Sequence, residues 1–105
     1  MTHDLIDQRS LELHREVVGM LRRDPSLLSI AKDNINRWLA AREIGERDPI
    51  LEWKEILGYP FQAIIKLLES EDEEACRLRQ SSPFAGVLPE NVRREIFHRY
   101  ATLRT

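Results

Sequence analysis

Arg77-Leu78-Arg79-Gln80-Ser81-Ser82-Pro83-Phe84-Ala85-Gly86-Val87-Leu88 is the irregular stretch of a 105-residue chain that otherwise reads as amphipathic helix. It is polar at its start, apolar at its end, and has neither the helical nor the strand period. Ser81-Ser82-Pro83 stops the helix before it, because the hydroxyls bond nearby backbone groups and proline removes a donor. Phe84, Val87 and Leu88 are placed to enter a core, while Ala85-Gly86 lets the chain bend tightly. The segment is therefore a connector between two helices of an all-α fold.

Upstream, residues 4 to 23 carry Ile6, Leu13, Val17, Met20 and Leu21 at helical spacing, with Arg9, Glu12, Arg15, Glu16 and Arg22 between them. Gly19 weakens this helix by about 1 kcal/mol relative to alanine and is expected to mark a close helix approach. Asp24-Pro25 ends it and starts a second helix, with aspartate as cap and proline at the first helical position. Leu28, Ala31, Ile35, Trp38 and Leu39 form its inward stripe, and Gly45 is the expected stop. Asp48-Pro49 repeats the start signal for a short helix holding Leu51, Trp53, Ile56 and Leu57, closed by Gly58.

Tyr59-Pro60 opens a fourth helix, whose Phe61, Ile64, Ile65, Leu67 and Leu68 cover more than one face and predict a central position. Ser70 and Glu73 have the spacing of a capping box for a fifth, running to about Arg79. The acidic run Glu71 to Glu74 lies in its first turn, where negative charge suits the helix dipole. Downstream, Pro89 begins a last helix with Val92, Ile96, Phe97, Tyr100 and Leu103 on its apolar side. No strand alternation is present. The expectation is one all-α domain over residues 1 to 105, a compact bundle of about six short helices.

Hydrophobic residues make up 42% of the chain and charged residues 32%, enough for a modest core under a polar surface. The net charge of −2 gives no global field for a nucleic-acid backbone. A single cysteine, Cys76, permits no internal disulfide and favours a reducing compartment. No signal peptide and no membrane span are visible, so a cytoplasmic location without a membrane partner is expected. His3, His14 and His98 fall in different helices with no zinc spacing, and no nucleophile elbow or phosphate-binding glycine loop occurs. No catalytic residue, metal ligand or cofactor is assigned, and the chain is read as a non-enzyme.

Charge is unevenly placed. From residue 77 onward, six arginines (Arg77, Arg79, Arg93, Arg94, Arg99, Arg104) face two glutamates (Glu90, Glu95), in a chain that is acidic overall. That asymmetry suits an acidic partner or a nucleic acid. Arg77, Arg79, Gln80, Ser81 and Ser82 gather donors beside a rigid turn, fit for a carboxylate, a phosphate or a partner's backbone. With Phe84, Arg93 and Arg94 they form the candidate partner-binding set. The alternative is DNA recognition through a helix-turn-helix outline over residues 53 to 68, with Gln62 and Lys66 reaching the groove. A further alternative is a small enzyme with an arginine-rich anion site.

Ser10-Leu11-Glu12-Leu13-His14-Arg15, together with Leu78-Arg79-Gln80-Ser81-Ser82-Pro83-Phe84-Ala85-Gly86-Val87-Leu88, resembles a family of small, mostly uncharacterised bacterial helical proteins. Such proteins are encoded beside nucleotidyltransferase-like proteins, in toxin–antitoxin-like pairs. The resemblance implies a helical companion or antitoxin that binds a nucleotidyltransferase-like toxin and occludes its active site. It assigns no residue a chemical role.

Overall fold

A computed structural model describes residues 3–41 and 48–103 of the chain. Its elements are α1 (His3–Arg23), a 3-10 turn (Pro25–Leu27), α2 (Leu28–Ala41), α3 (Pro49–Ile56), α4 (Phe61–Glu69), α5 (Glu73–Arg79) and α6 (Glu90–Thr102). No strand occurs among the described residues. Over the described residues the fold is the expected all-α bundle, with six α-helices and a Cα radius of gyration of 13.9 Å.

Local chemistry sets most of the boundaries. The Asp24 carboxylate accepts the Ser26 N–H at 3.1 Å and also binds the Ser26 hydroxyl. Those two bonds tighten the Asp24-Pro25 start into a 3-10 turn before α2 begins. Asp48 caps α3 in the simpler way, accepting the Ile50 N–H at 3.0 Å beside Pro49. Pro60 and Pro89 each precede a helix with φ near −55° and ψ near 145°, the extended geometry of an entry residue. The Gly45 stop expected for α2 lies outside the described residues.

Two local expectations are corrected. The cap of α5 is Asp72, which accepts the Ala75 N–H at 2.8 Å, and not Ser70. The helix begins at Glu73, so Asp72 holds the cap position, and its carboxylate suits the helix dipole. The Ser70 hydroxyl instead donates to Asp72 at 2.8 Å. Gly19 likewise accommodates no neighbouring helix: a Cβ built there would meet only the Arg23 guanidinium, 4.0 Å away.

The core is organised around α1, which packs on α4, α5 and α6, while α2 covers α3. The central place expected for α4 is found: Ile64, Ile65 and Leu68 are buried, with Phe61 and Leu67 partly so. Leu21, Ile35, Trp53 and Ile96 are among the other large side chains of the interior. Trp53 is fully enclosed, and its indole N–H donates to the Leu78 carbonyl at 2.9 Å. A buried indole needs such a partner, since a lost donor costs about 1–3 kcal/mol. That bond fixes the end of α5 and so the start of the connector between α5 and α6.

Candidate binding cleft

Three polar ties place the connector. Trp53 holds Leu78, as above. Asn34 of α2 is buried, and its amide nitrogen donates to the Pro83 carbonyl at 2.8 Å and the Ala85 carbonyl at 2.9 Å. Its amide oxygen accepts from Arg37. His14 of α1, 5% exposed, is hydrogen-bonded to the Ser10 carbonyl at 2.6 Å through Nδ1 and to the Ser82 hydroxyl at 2.7 Å through Nε2. Phe84 sits between the rings of His14 and Trp53, edge-on to both, with centroids 6.3 and 5.8 Å away. Gly86 turns the chain out of the core at φ +95°, a conformation disfavoured for residues with a Cβ.

The protonation of His14 follows from its partners. A carbonyl only accepts, so Nδ1 carries the proton. Burial lowers the imidazole pKa to about 4, the Ser10 carbonyl opposes that shift, and the Arg79 charge adds to it. The neutral ring therefore offers Nε2 as acceptor and the Ser82 hydroxyl donates to it. Ser82 Oγ in turn accepts the Phe84 N–H at 3.2 Å. The spacing is that of a nucleophile and its base. An imidazole this weakly basic, holding a hydroxyl already bound into its own turn, suits a fastener between helix and connector better than proton abstraction.

Beside this fastener lies a cleft of about 580 Å³ between α1, the connector and α6. Arg79, Gln80, Ser82, Phe84 and Arg93 of the expected partner-binding set line it. Arg9, Ser10 and His14 of α1 and Phe97 of α6 also belong to its wall. The guanidiniums of Arg9 and Arg93 both lie over the Phe97 ring, 4.3 and 5.0 Å from its centre. Glu90, at the first position of α6, pairs with Arg93 at 3.3 Å and Arg94 at 3.2 Å.

The expected donor cluster is divided by the fold. Arg79 was expected to reach outward, yet it is 3% exposed. Its guanidinium lies under the end of α4, donating to the carbonyls of Leu67, Leu68 and Ser70, and to Cys76 Sγ at 3.4 Å. Unsatisfied carbonyls at a helix C-terminus carry partial negative charge, and a buried guanidinium spans several of them. Phe84 is likewise a core ring. Arg77 faces away from the cleft, bound to Glu52 at 2.7 Å and Glu74 at 2.8 Å. Those bonds hold both carboxyls below their usual range and the guanidinium above its own. Ser81 lines a separate recess with Trp38 and Ile50. Gln80 reaches the Asp7 carboxylate at 3.4 Å. Arg94 remains largely exposed on α6.

Arg9, His14, Asn34 and Phe97 were not among the expected site residues. Ser10 and His14 stand one helical turn apart in α1, a local signal for His14 alone, while Arg9, Asn34 and Phe97 carry none. For the DNA alternative, Gln62 and Lys66 are exposed on α4, but α4 packs chiefly on α1 and α5 rather than on α3. Among the described residues no group of three metal-capable side chains comes together, and no helix is long and apolar enough to cross a membrane.

Comparison with known proteins gives no match. No protein-family model fits the chain, and no curated protein or solved structure is similar to it.

Proposed function

We propose that this chain is a protein-binding module, the antitoxin-like companion of a nucleotidyltransferase-like partner whose active site it occludes. The observation that carries the binding role is the charge on α6. Arg93 and Arg94 have side chains 50% and 76% exposed, and they share one carboxylate, Glu90. Exposed ion pairs of this kind contribute little to stability, typically about 0–1 kcal/mol, so both guanidiniums can exchange Glu90 for an external acid. Such a basic row meets an acidic nucleotide or metal pocket with complementary charge and accelerates encounter. The identity of the partner class rests on the family resemblance of the two sequence stretches around His14 and Ser82.

Occlusion requires an interface of about 1,200–2,000 Å² in total. Co-expression with the product of the neighbouring gene, followed by size-exclusion chromatography and a growth assay, tests the proposal. Co-elution and rescue of growth are expected, both weakened in an Arg93→Glu/Arg94→Glu variant at unchanged fold. Separate elution at micromolar concentration without rescue would overturn it.

A further inference from the structure

We propose that the cleft between α1, the connector and α6 is a binding site for a small amphipathic carboxylate, an apolar body carrying one anionic end. This goes beyond the protein-binding role and does not depend on it. A volume of about 580 Å³ falls in the range of small-ligand sites, which run from about 300 to 1,000 Å³. Ile6, Leu13, Leu88 and the Phe97 ring supply apolar wall, suited to an alkyl or aryl body.

The charged groups of the lining do not balance. Among the described residues, Arg9 and Arg93 bring two guanidiniums over Phe97 to it and Glu90 brings one carboxylate, which also serves Arg94, while the buried Arg79 guanidinium is turned to the end of α4. The neutral His14 adds no charge. Arg79 is a buried cation whose hydrogen bonds go to backbone carbonyls and a thiol, whose Nε is buried without a hydrogen-bond partner, and whose charge is felt by the nearby Asp72 carboxylate. A buried charge is costly unless an opposite charge stands near it. Arg9 lies with its guanidinium carbon over Phe97, and a guanidinium held over a ring keeps its N–H edge for the two oxygens of a carboxylate. The ligand's carboxylate therefore belongs between Arg9 and Arg93, with its apolar body against Ile6, Leu13 and Leu88.

The test is a two-dimensional amide NMR titration of the full chain with 3-phenylpropionate and hexanoate, against 3-phenylpropanol and hexanol as uncharged controls. Saturable shifts at Ser10, Gln80 and Phe97 are expected for the acids, with affinity about tenfold or more above the matching alcohols. Added salt shrinks that advantage while leaving the alcohols unchanged, and an Arg9→Gln/Arg93→Gln variant abolishes it. Equal binding of acid and alcohol, or no saturable response at the cleft residues, would overturn the proposal. If the acids bind as expected while the neighbouring gene product fails to co-elute, only the protein-binding role falls.

Discussion

His14 of α1 and Ser82 of the connector, 68 positions apart in the chain, are joined by a 2.7 Å hydrogen bond to a histidine that is buried and neutral. The bond ties α1 to the connector that runs from α5 to α6 and forms one edge of the cleft. Because the imidazole must stay uncharged to accept it, the fold carries a pH dependence. Burial pushes the His14 pKa to about 4, against 6.5 for the free side chain. Between those values the unfolded chain binds more protons than the folded one, so stability is complete above the unfolded value and declines as the pH falls towards 4. At pH 5 the loss relative to pH 7 should be about 2 kcal/mol. Urea unfolding at the two pH values measures it, and His14→Gln should flatten the slope.

Removal of the other half of the bond acts differently. Ser82→Ala leaves Nε2 of a buried ring without a donor and frees the Phe84 N–H from its side-chain acceptor. A cost of about 1–3 kcal/mol is expected from the midpoint of urea unfolding. The connector should loosen locally, visible as faster amide exchange from Phe84 to Val87, while α2 and α3 keep their protection.

Asn34 offers a sharper test of how the connector is held. Its amide donates to two carbonyls, Pro83 and Ala85. Asn34→Asp is nearly isosteric, but it replaces the donor with a carboxylate facing those oxygens. The aspartate variant should therefore be less stable than Asn34→Ala at pH 7, a reversal of what size alone would give. Protonation of the aspartate restores a donor, so the order should narrow in mild acid. Thermal melts of the two variants at pH 7 and 5 decide it.

The glycines of the chain separate two physical roles. Gly19 sits inside α1 with open space around it, so Gly19→Ala should stabilise by about 0.5–1 kcal/mol. At Gly86 a Cβ would make only an ordinary 3.7 Å contact with Ile30, yet φ is +95°. Gly86→Ala should destabilise by about 1–2 kcal/mol through backbone strain alone. Opposite shifts of the urea midpoint are the expected readout.

The helices were legible because their signals are local. Asp24, Asp48, Pro60 and Pro89 mark starts in the sequence, and the apolar spacing of α4 announces a buried helix. The cleft was legible only on its connector side. Pro83, Phe84 and Gly86 advertise an irregular turn, but Arg9, His14 and Phe97 look like ordinary positions on amphipathic helices. They meet through packing between α1 and α6, a long-range relationship that periodicity does not encode. The burial of Arg79 is hidden from the sequence for a related reason. Arginine is almost always exposed when nothing local pairs it, and its partners here are helix-end carbonyls, which no residue type in the sequence reveals.

Arg79 also yields the test that best separates a structural guanidinium from a partner-facing one. Its Nη1 donates to the carbonyls of Leu67, Leu68 and Ser70, and its Nη2 to Cys76 Sγ. Lysine carries the same charge and a similar apolar stem, but its compact ammonium cannot reproduce a planar fork that spans these acceptors. Arg79→Lys should therefore cost about 1–3 kcal/mol, because carbonyls at the end of α4 lose their donor inside the protein. Arg94→Lys, on the exposed face of α6, should stay within about 0.5 kcal/mol of the parent. The pair of urea curves reads out the contrast directly. If Arg79→Lys unfolded at the parent midpoint, the C-terminal end of α4 would have to be satisfied by water, and Arg79 would be released from its structural role.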